Sequence, residues 1–362
     1  MKYYMPVKVY DEPDCVKNHE GELCSFGKKA LIVTGKSSAF LNGSFDDVAD
    51  VLINNRIDPV VFSEVEENPS VETVFVARDR YMGEHLDLVI GIGGGSAMDA
   101  AKAIALTLYH PEYTPQDLYD NTKDDTALPV VCVPTTCGTG SEVTGVSVLT
   151  RHDRKTKISM VHKVFPAMAL IDGKYLRTAS DELIVNSSID ALSHLYESML
   201  NAKADDYVRM CASSGLRMWA GTKDCLTGNR PITDEDRSYL MRSSTLAGMS
   251  IAQSGTTVPH ALSYNLTYDL AIAHGRAVGY FLPGFLAAAP KAQRDEVLKL
   301  SGFSGLPEFT DFLSCVFGSI DIPEEELEIT YKNVKNNPAK MSSASFDIDD
   351  RLLRRIVFES YR

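Results

Sequence analysis

Asp190 and His194 stand four residues apart in Asp190-Ala-Leu-Ser-His194-Leu-Tyr-Glu197, a stretch whose pattern predicts a helix. Side chains at that spacing leave one face about a turn apart, so the pair can offer a carboxylate oxygen and an imidazole nitrogen to a common point. His260 and His274 lie further along the chain. If the fold gathers all four, they make a three-nitrogen, one-oxygen set suited to a first-row divalent metal. The competing reading is a plain surface pair for Asp190 and His194, and packed or solvated rings for the other two. Spacing alone does not separate these readings.

The strongest local motif is Gly91-Ile-Gly93-Gly94-Gly95-Ser96, which leaves a predicted strand and runs into Ala97-Met-Asp99-Ala-Ala-Lys102-Ala-Ile-Ala, a strong helix former. Glycines let a phosphate approach the backbone, and the free amides of a helix N-terminus face it with the positive end of the dipole. A pyrophosphate suits this geometry, and a tight strand-to-helix turn needs fewer glycines than are present. The usual dinucleotide fingerprint follows the first strand and has Gly or Ala where Ser96 stands. Cofactor docking therefore need not follow the usual pattern. Thr135-Thr136-Cys137-Gly138-Thr139-Gly140-Ser141-Glu142 is a second loop of small hydroxyl residues, able to bond ribose or phosphate oxygens or to serve as a polar turn.

The elements that must position these residues follow from periodicity. Lys28–Thr34, Asp58–Phe62, Leu86–Gly93 and Pro129–Pro134 read as buried strands, and about 45–55 and 71–84 as helices between them. This alternation predicts a parallel sheet with helices on both faces. Residues 143–171 read as β-like around a charged turn at Arg151–Lys155, and the chain beyond Asp172 reads as helical, with His274 closing the segment that Pro259 opens. The expectation is an α/β dinucleotide-binding domain over 1–173 and an all-α metal-binding domain over 174–362.

With 362 residues, 44% hydrophobic and 23% charged, the chain can bury more than one core. Its net charge of −13 disfavours nucleic acid and anionic membrane surfaces as partners. No apolar run reaches spanning length, and the N-terminal residues lack the apolar core of a signal peptide. Seven dispersed cysteines without a Cys-x-x-Cys suit reduced thiols. A cytoplasmic location is expected.

Taken together, the Gly93–Lys102 motif, Pro134-Thr-Thr-Cys-Gly-Thr-Gly-Ser-Glu142-Val-Thr, Asp190–Glu197, Pro259-His260-Ala-Leu and Ala273-His274-Gly275-Arg resemble the iron-containing (group III) alcohol dehydrogenases of the dehydroquinate-synthase-like superfamily, over nearly the whole chain. The resemblance implies an α/β cofactor domain, a helical domain and a cleft between them. It implies metal ligation by Asp190, His194, His260 and His274, pyrophosphate binding by Gly94, Gly95 and Ser96, and a cofactor contact from Asp99. It further implies cofactor contacts from Thr135, Thr136 and Thr139, and from Asn68 and Lys157. Fe(II) follows from the family name, with Zn(II) as the alternative, and a homodimer would suit the family.

Two departures from the family pattern matter. NAD-preferring members carry an Asp after the first strand, where this chain has Gly35, then Lys36, Ser37 and Ser38. A carboxylate would repel a 2′-phosphate and this set would accept one, so NADP(H) is expected. Many members also have a His four residues after the third ligand, where this chain has Tyr264. An ordinary phenol is a poor proton relay near neutral pH. The expected reaction is reversible hydride transfer between NADP(H) and an alcohol or aldehyde. The alternatives are a dehydroquinate-synthase-like lyase, which regenerates its cofactor, and a non-catalytic nucleotide-binding protein.

Overall fold

The computed structural model describes residues 3–360. The strands are β1 (Lys8–Asp11), β2 (Lys29–Gly35), β3 (Asp58–Val65), β4 (Leu88–Gly93), β5 (Val130–Pro134), β6 (Val148–Arg151), β7 (Thr156–Ser159) and β8 (Met168–Ile171). Six form one sheet in the order β1-β8-β5-β4-β2-β3, and every pairing in it is parallel. The helices packed on it are α1 (Ser44–Asn54), α2 (Val71–Tyr81) and α3 (Gly95–Tyr109). The strand alternation explains the two-sided burial. Leu31 and Val33 of β2 enter a cluster with Phe62, Val74 and Ile104, while Ala30 and Ile32 enter another with Val48, Leu52 and Ile90.

From β2 the chain moves outward to β3, whereas from β4 it moves the other way to β5. The crevice beyond the carboxyl ends of β2 and β4 is therefore the topological switch point, the place where open α/β sheets bind ligands. Thr34 pairs with Ile92, which brings Gly35 and the glycine loop after Gly93 to that crevice. Gly91 allows α3 to lie close on β4, since a Cβ there would meet Ala101 Cβ at 2.9 Å.

Two details differ from the sequence expectation. The extended N-terminal stretch contains β1, which pairs with β8 at the sheet edge, so the glycine loop follows the fourth strand of the chain. Four residues of mixed burial carry too little periodicity to reveal such a strand. The β-like 143–171 region divides into a separate antiparallel hairpin, β6-β7, and the sheet strand β8.

Helices then run α4 (Asp181–Met199), α5 (Asp206–Ala220), α6 (Asp234–Ser254), α7 (Val258–Asp269), α8 (His274–Ala288), α9 (Lys291–Leu300), α10 (Leu306–Phe317), α11 (Glu324–Lys335) and α12 (Asp350–Phe358). By their contacts, Met5–Thr136 and Gly140–Ala179 form one compact unit, and Cys137–Thr139 with the chain from Ser180 onward form the other. α4 starts at an N-cap, Ser180, whose hydroxyl accepts from Leu183 N, with Asp181 and Glu182 complementing the dipole. From Ser188 to Met199 it is buried throughout, packed against α5, α6 and α8. The Trp219 indole of α5 donates to Ser188 O at 3.0 Å.

Candidate metal centre and cofactor loops

Asp190 lies in the buried half of α4, and its Oδ1 is 3.3 Å from His260 Nε2, 3.6 Å from His274 Nε2 and 4.0 Å from His194 Nδ1. Ligand atoms of Asp190, His260 and His274 all lie within 4.8 Å of one another. The His194 and His260 rings stack at 4.2 Å, and His274 meets His260 edge-on at 5.4 Å. His194 Nδ1 is directed to Gly138 O at 3.3 Å, which leaves Nε2 as its basic nitrogen. Gly138 is needed for that approach, because a Cβ there would fall 2.9 Å from Ser187 O and 3.1 Å from Asp190 Oδ2.

Local backbone sets the other two rings. Pro259 sits in the first turn of α7, where its missing N–H costs nothing, and His260 follows it. His274 is the first residue of α8 and does not close the preceding segment, which ends at Asp269. Gly275 is what lets α8 begin against α4, since a Cβ would come within 1.8 Å of Asn186 O. Thr267 Oγ1 donates to Ser263 O at 3.1 Å and lies 3.4 Å from His274 Nδ1, so its lone pair faces that ring nitrogen.

The electrostatics favour a cation. Burial would raise the Asp190 carboxyl, yet the facing rings of His194, His274 and His260 hold it well below the ordinary carboxylate range. Burial lowers His194 to about 4, so its ring is neutral. Burial opposes a charge on His260 too, but Glu197 and Asp190 raise it to about 9. Asp190 Oδ1 and His260 Nε2 are both buried without a hydrogen-bond partner. Buried polar atoms are seldom left so, and imidazole nitrogens converging on one carboxylate oxygen are the donor set of a divalent metal. The residues present therefore fit such an ion.

Glu197 joins this cluster in addition to the four residues that the sequence pattern singles out. It is fully buried, with Oε1 against His260 Nδ1 and Oε2 accepting from Thr257 N at 2.5 Å and Thr257 Oγ1 at 2.9 Å. Its signal was in the sequence, as the i+7 member of the stripe begun by Asp190 and His194. Tyr264 stacks nearly parallel to His274, with centroids 6.3 Å apart. Burial, with Glu197 and Asp190 nearby, pushes its phenol up to about 12.

In the α/β unit, residues from separate segments converge around the glycine loop. Gly94 is the N-cap of α3, and Thr136 lies over it, 3.1 Å from where a Cβ would be. Thr135 N donates to Gly93 O at 2.9 Å. Asn68, at φ 59°, donates its amide to Ser96 Oγ at 3.0 Å and accepts from Lys157 Nζ at 2.6 Å. Gly35 is half-buried at the end of β2, and Lys36, Ser37 and Ser38 are exposed beside it. Thr139 is half-buried and belongs to the helical unit. Asp99, in the first turns of α3, is held by the chain around it. Its Oδ1 accepts from Ser141 Oγ at 2.5 Å and its Oδ2 from Val148 N at 2.9 Å, because the i+3 Lys102 and the 141–148 segment fold over it. Lys102, fully buried, also donates to Ser141 Oγ at 2.5 Å and Val146 O at 2.8 Å.

The chain is 28% identical over 283 residues to the NADPH-dependent butanol dehydrogenase of Clostridium saccharobutylicum, spanning 76% of this chain and 71% of that protein. To the NADH-dependent butanol dehydrogenase A of Clostridium acetobutylicum it is 27% identical over 297 residues, 78% of this chain and 74% of that one. It is also 28% identical over 78% of its length to aldehyde-alcohol dehydrogenase 2 of Entamoeba histolytica, of which it spans 33%. An iron-containing alcohol dehydrogenase structure from Thermotoga maritima matches with a TM-score of 0.91 and 35% identity, covering 99% of each chain. The 1,3-propanediol dehydrogenase of Citrobacter freundii is 31% identical over 304 residues, 81% of this chain and 76% of that protein. The family described as iron-containing alcohol dehydrogenase matches residues 6–173, and its C-terminal family matches 184–306. The chain belongs to the iron-containing alcohol dehydrogenase family.

Proposed function

We propose that this protein is an NADP(H)-preferring oxidoreductase that interconverts a primary alcohol and its aldehyde, with a divalent metal held by Asp190, His194, His260 and His274. The observation that carries the reading is the convergence of His260 Nε2 and His274 Nε2 on Asp190 Oδ1, with that oxygen and His260 Nε2 buried and unpartnered. When bound, the metal supplies Lewis-acid polarisation of the carbonyl oxygen, and the nicotinamide supplies or accepts hydride. Fe(II) is proposed from the family, with Zn(II) as the alternative for the same donors.

The chain's own residues do the rest. One carboxylate and three neutral rings would leave a divalent ion held here with a net charge near +1. The amides opening α3 at Gly95 and Ser96, with Gly94 and Thr136 beside them, hold the pyrophosphate. Thr135 and Thr139 extend that contact. Lys157, placed by Asn68, adds a cation for the phosphates. Gly35, Lys36, Ser37 and Ser38 receive the 2′-phosphate, since β2 ends without a carboxylate to repel it. We assign the cofactor to a domain of residues 1–173 and the metal to residues 174–362, in a cytoplasmic homodimer. All seven cysteines are free, which suits a reducing compartment, and no described helix is long and apolar enough to cross a membrane.

The test is NADPH oxidation against a panel of aldehydes, including butanal, with Fe(II) or Zn(II) restored and a chelator control. The reading predicts metal-dependent, stoichiometric loss of NADPH, and higher kcat/KM with NADPH than with NADH. Activity indifferent to the chelator would overturn the metal assignment, and equal or greater efficiency with NADH would overturn the cofactor assignment.

A further inference from the structure

α4 presents a third polar side chain on the face that carries Asp190 and His194. Glu197 is fully buried, and its two oxygens have different partners. Oε2 accepts from the backbone amide of Thr257, which can only donate, and lies 2.9 Å from the Thr257 hydroxyl. Oε1 faces Nδ1 of His260, whose other nitrogen, Nε2, points at Asp190 Oδ1.

We infer that Glu197 is a positioning residue that fixes His260 with its proton on Nδ1, so that Nε2 presents a lone pair to the metal. Glu197 touches neither metal nor substrate in this role. The inference rests on the metal reading above. A carboxylate is required because it accepts at both ends. Thr257 imposes an acceptor on one oxygen, and a metal-ligating neutral His260 imposes an acceptor on the other.

That asymmetry makes the isosteric variant the informative one. In Glu197→Gln, the Thr257 amide claims the carbonyl oxygen, which turns the side-chain NH2 toward His260 Nδ1. A neutral ring facing a donor must keep its proton on Nε2, the nitrogen the metal needs. In Glu197→Ala, Nδ1–H is free to donate to water. The expected order of Zn(II) affinity, measured on the full-length protein by chelator competition, is wild type, then Ala, then Gln. The Gln variant should be weakened by about 10- to 100-fold. A purely packing role gives the opposite order, because Gln preserves shape and Ala leaves a cavity. NADPH affinity should stay at the wild-type value in both. Nitrogen-15 NMR of histidine-labelled, Zn(II)-loaded wild type should show the His260 proton on Nδ1, which decides the matter even if a variant fails to fold. Glu197→Gln binding Zn(II) as tightly as wild type, or metal on Nδ1 of His260, overturns the inference. If wild type binds Zn(II) and His260→Ala does not, the metal reading survives that failure. If wild type itself binds no Zn(II), both fall.

Discussion

His260 Nε2 lies 3.3 Å from Asp190 Oδ1, and neither buried atom has a hydrogen-bond partner. Two such groups facing each other represent desolvation that a shared cation would offset. His260→Ala should therefore weaken metal binding by more than the ~10- to 100-fold typical of an outer partner's loss, and abolish turnover. NADPH should still bind. Metal content by elemental analysis, with fluorescence titration of NADPH, checks both halves.

Gly35 can accept a side chain, since a Cβ there meets only Val65 O, at 3.5 Å. Gly35→Asp should lower kcat/KM for NADPH by about tenfold, or ~1.4 kcal/mol. That is well below the ~4 kcal/mol of two charges at about 4 Å and an effective dielectric of about 20, because the flanking residues are exposed. NADH kinetics should be unchanged or improved, and parallel kinetics with both cofactors would show it.

Burial lowers Lys157 to about 8. A bound phosphate favours the ammonium and raises that value, so the cofactor binds best below pH 8. Affinity should fall as pH rises from about 8 toward the higher value in the complex, by at most about tenfold per pH unit. Lys157→Gln should bind more weakly at neutral pH and lose this dependence. Titrations of NADPH across the range would test the sign.

The raised phenol of Tyr264 makes proton relay through its hydroxyl unfavourable, which leaves pocket shape as its role. Tyr264→Phe should keep the wild-type pH profile of kcat between about pH 6 and 9 while KM varies among aldehydes. A lost limb in that profile would restore the relay.

Lys102 is the buried cation joining α3 to the 141–148 segment. Lys102→Met would take the counter-charge from the Asp99 carboxylate and the side-chain donor from the Val146 carbonyl. The expected cost is ~3 kcal/mol, a fall in Tm of about 6–12 °C for a domain of this size. Calorimetry would measure it.

Much of this was legible in the sequence. The α/β alternation, the glycine loop and the pairing of Asp190 with His194 are set by local periodicity and by residue types whose backbone and donor chemistry act over a few positions. Glu197 is legible too, as the i+7 member of the stripe begun by Asp190. Other features were decided only by tertiary structure. β1 has no local signature and exists because β8 offers it an edge. Asp99 stands in the glycine-loop motif, and it is the chain more than 40 residues later that donates to both its oxygens. His260 and His274 meet Asp190 because α8 packs against α4 and α7 packs against α8, with Gly275 allowing the closest approach. Spacing along the chain carries no information on that meeting, since long-range packing, and not local propensity, brings distant side chains to one point.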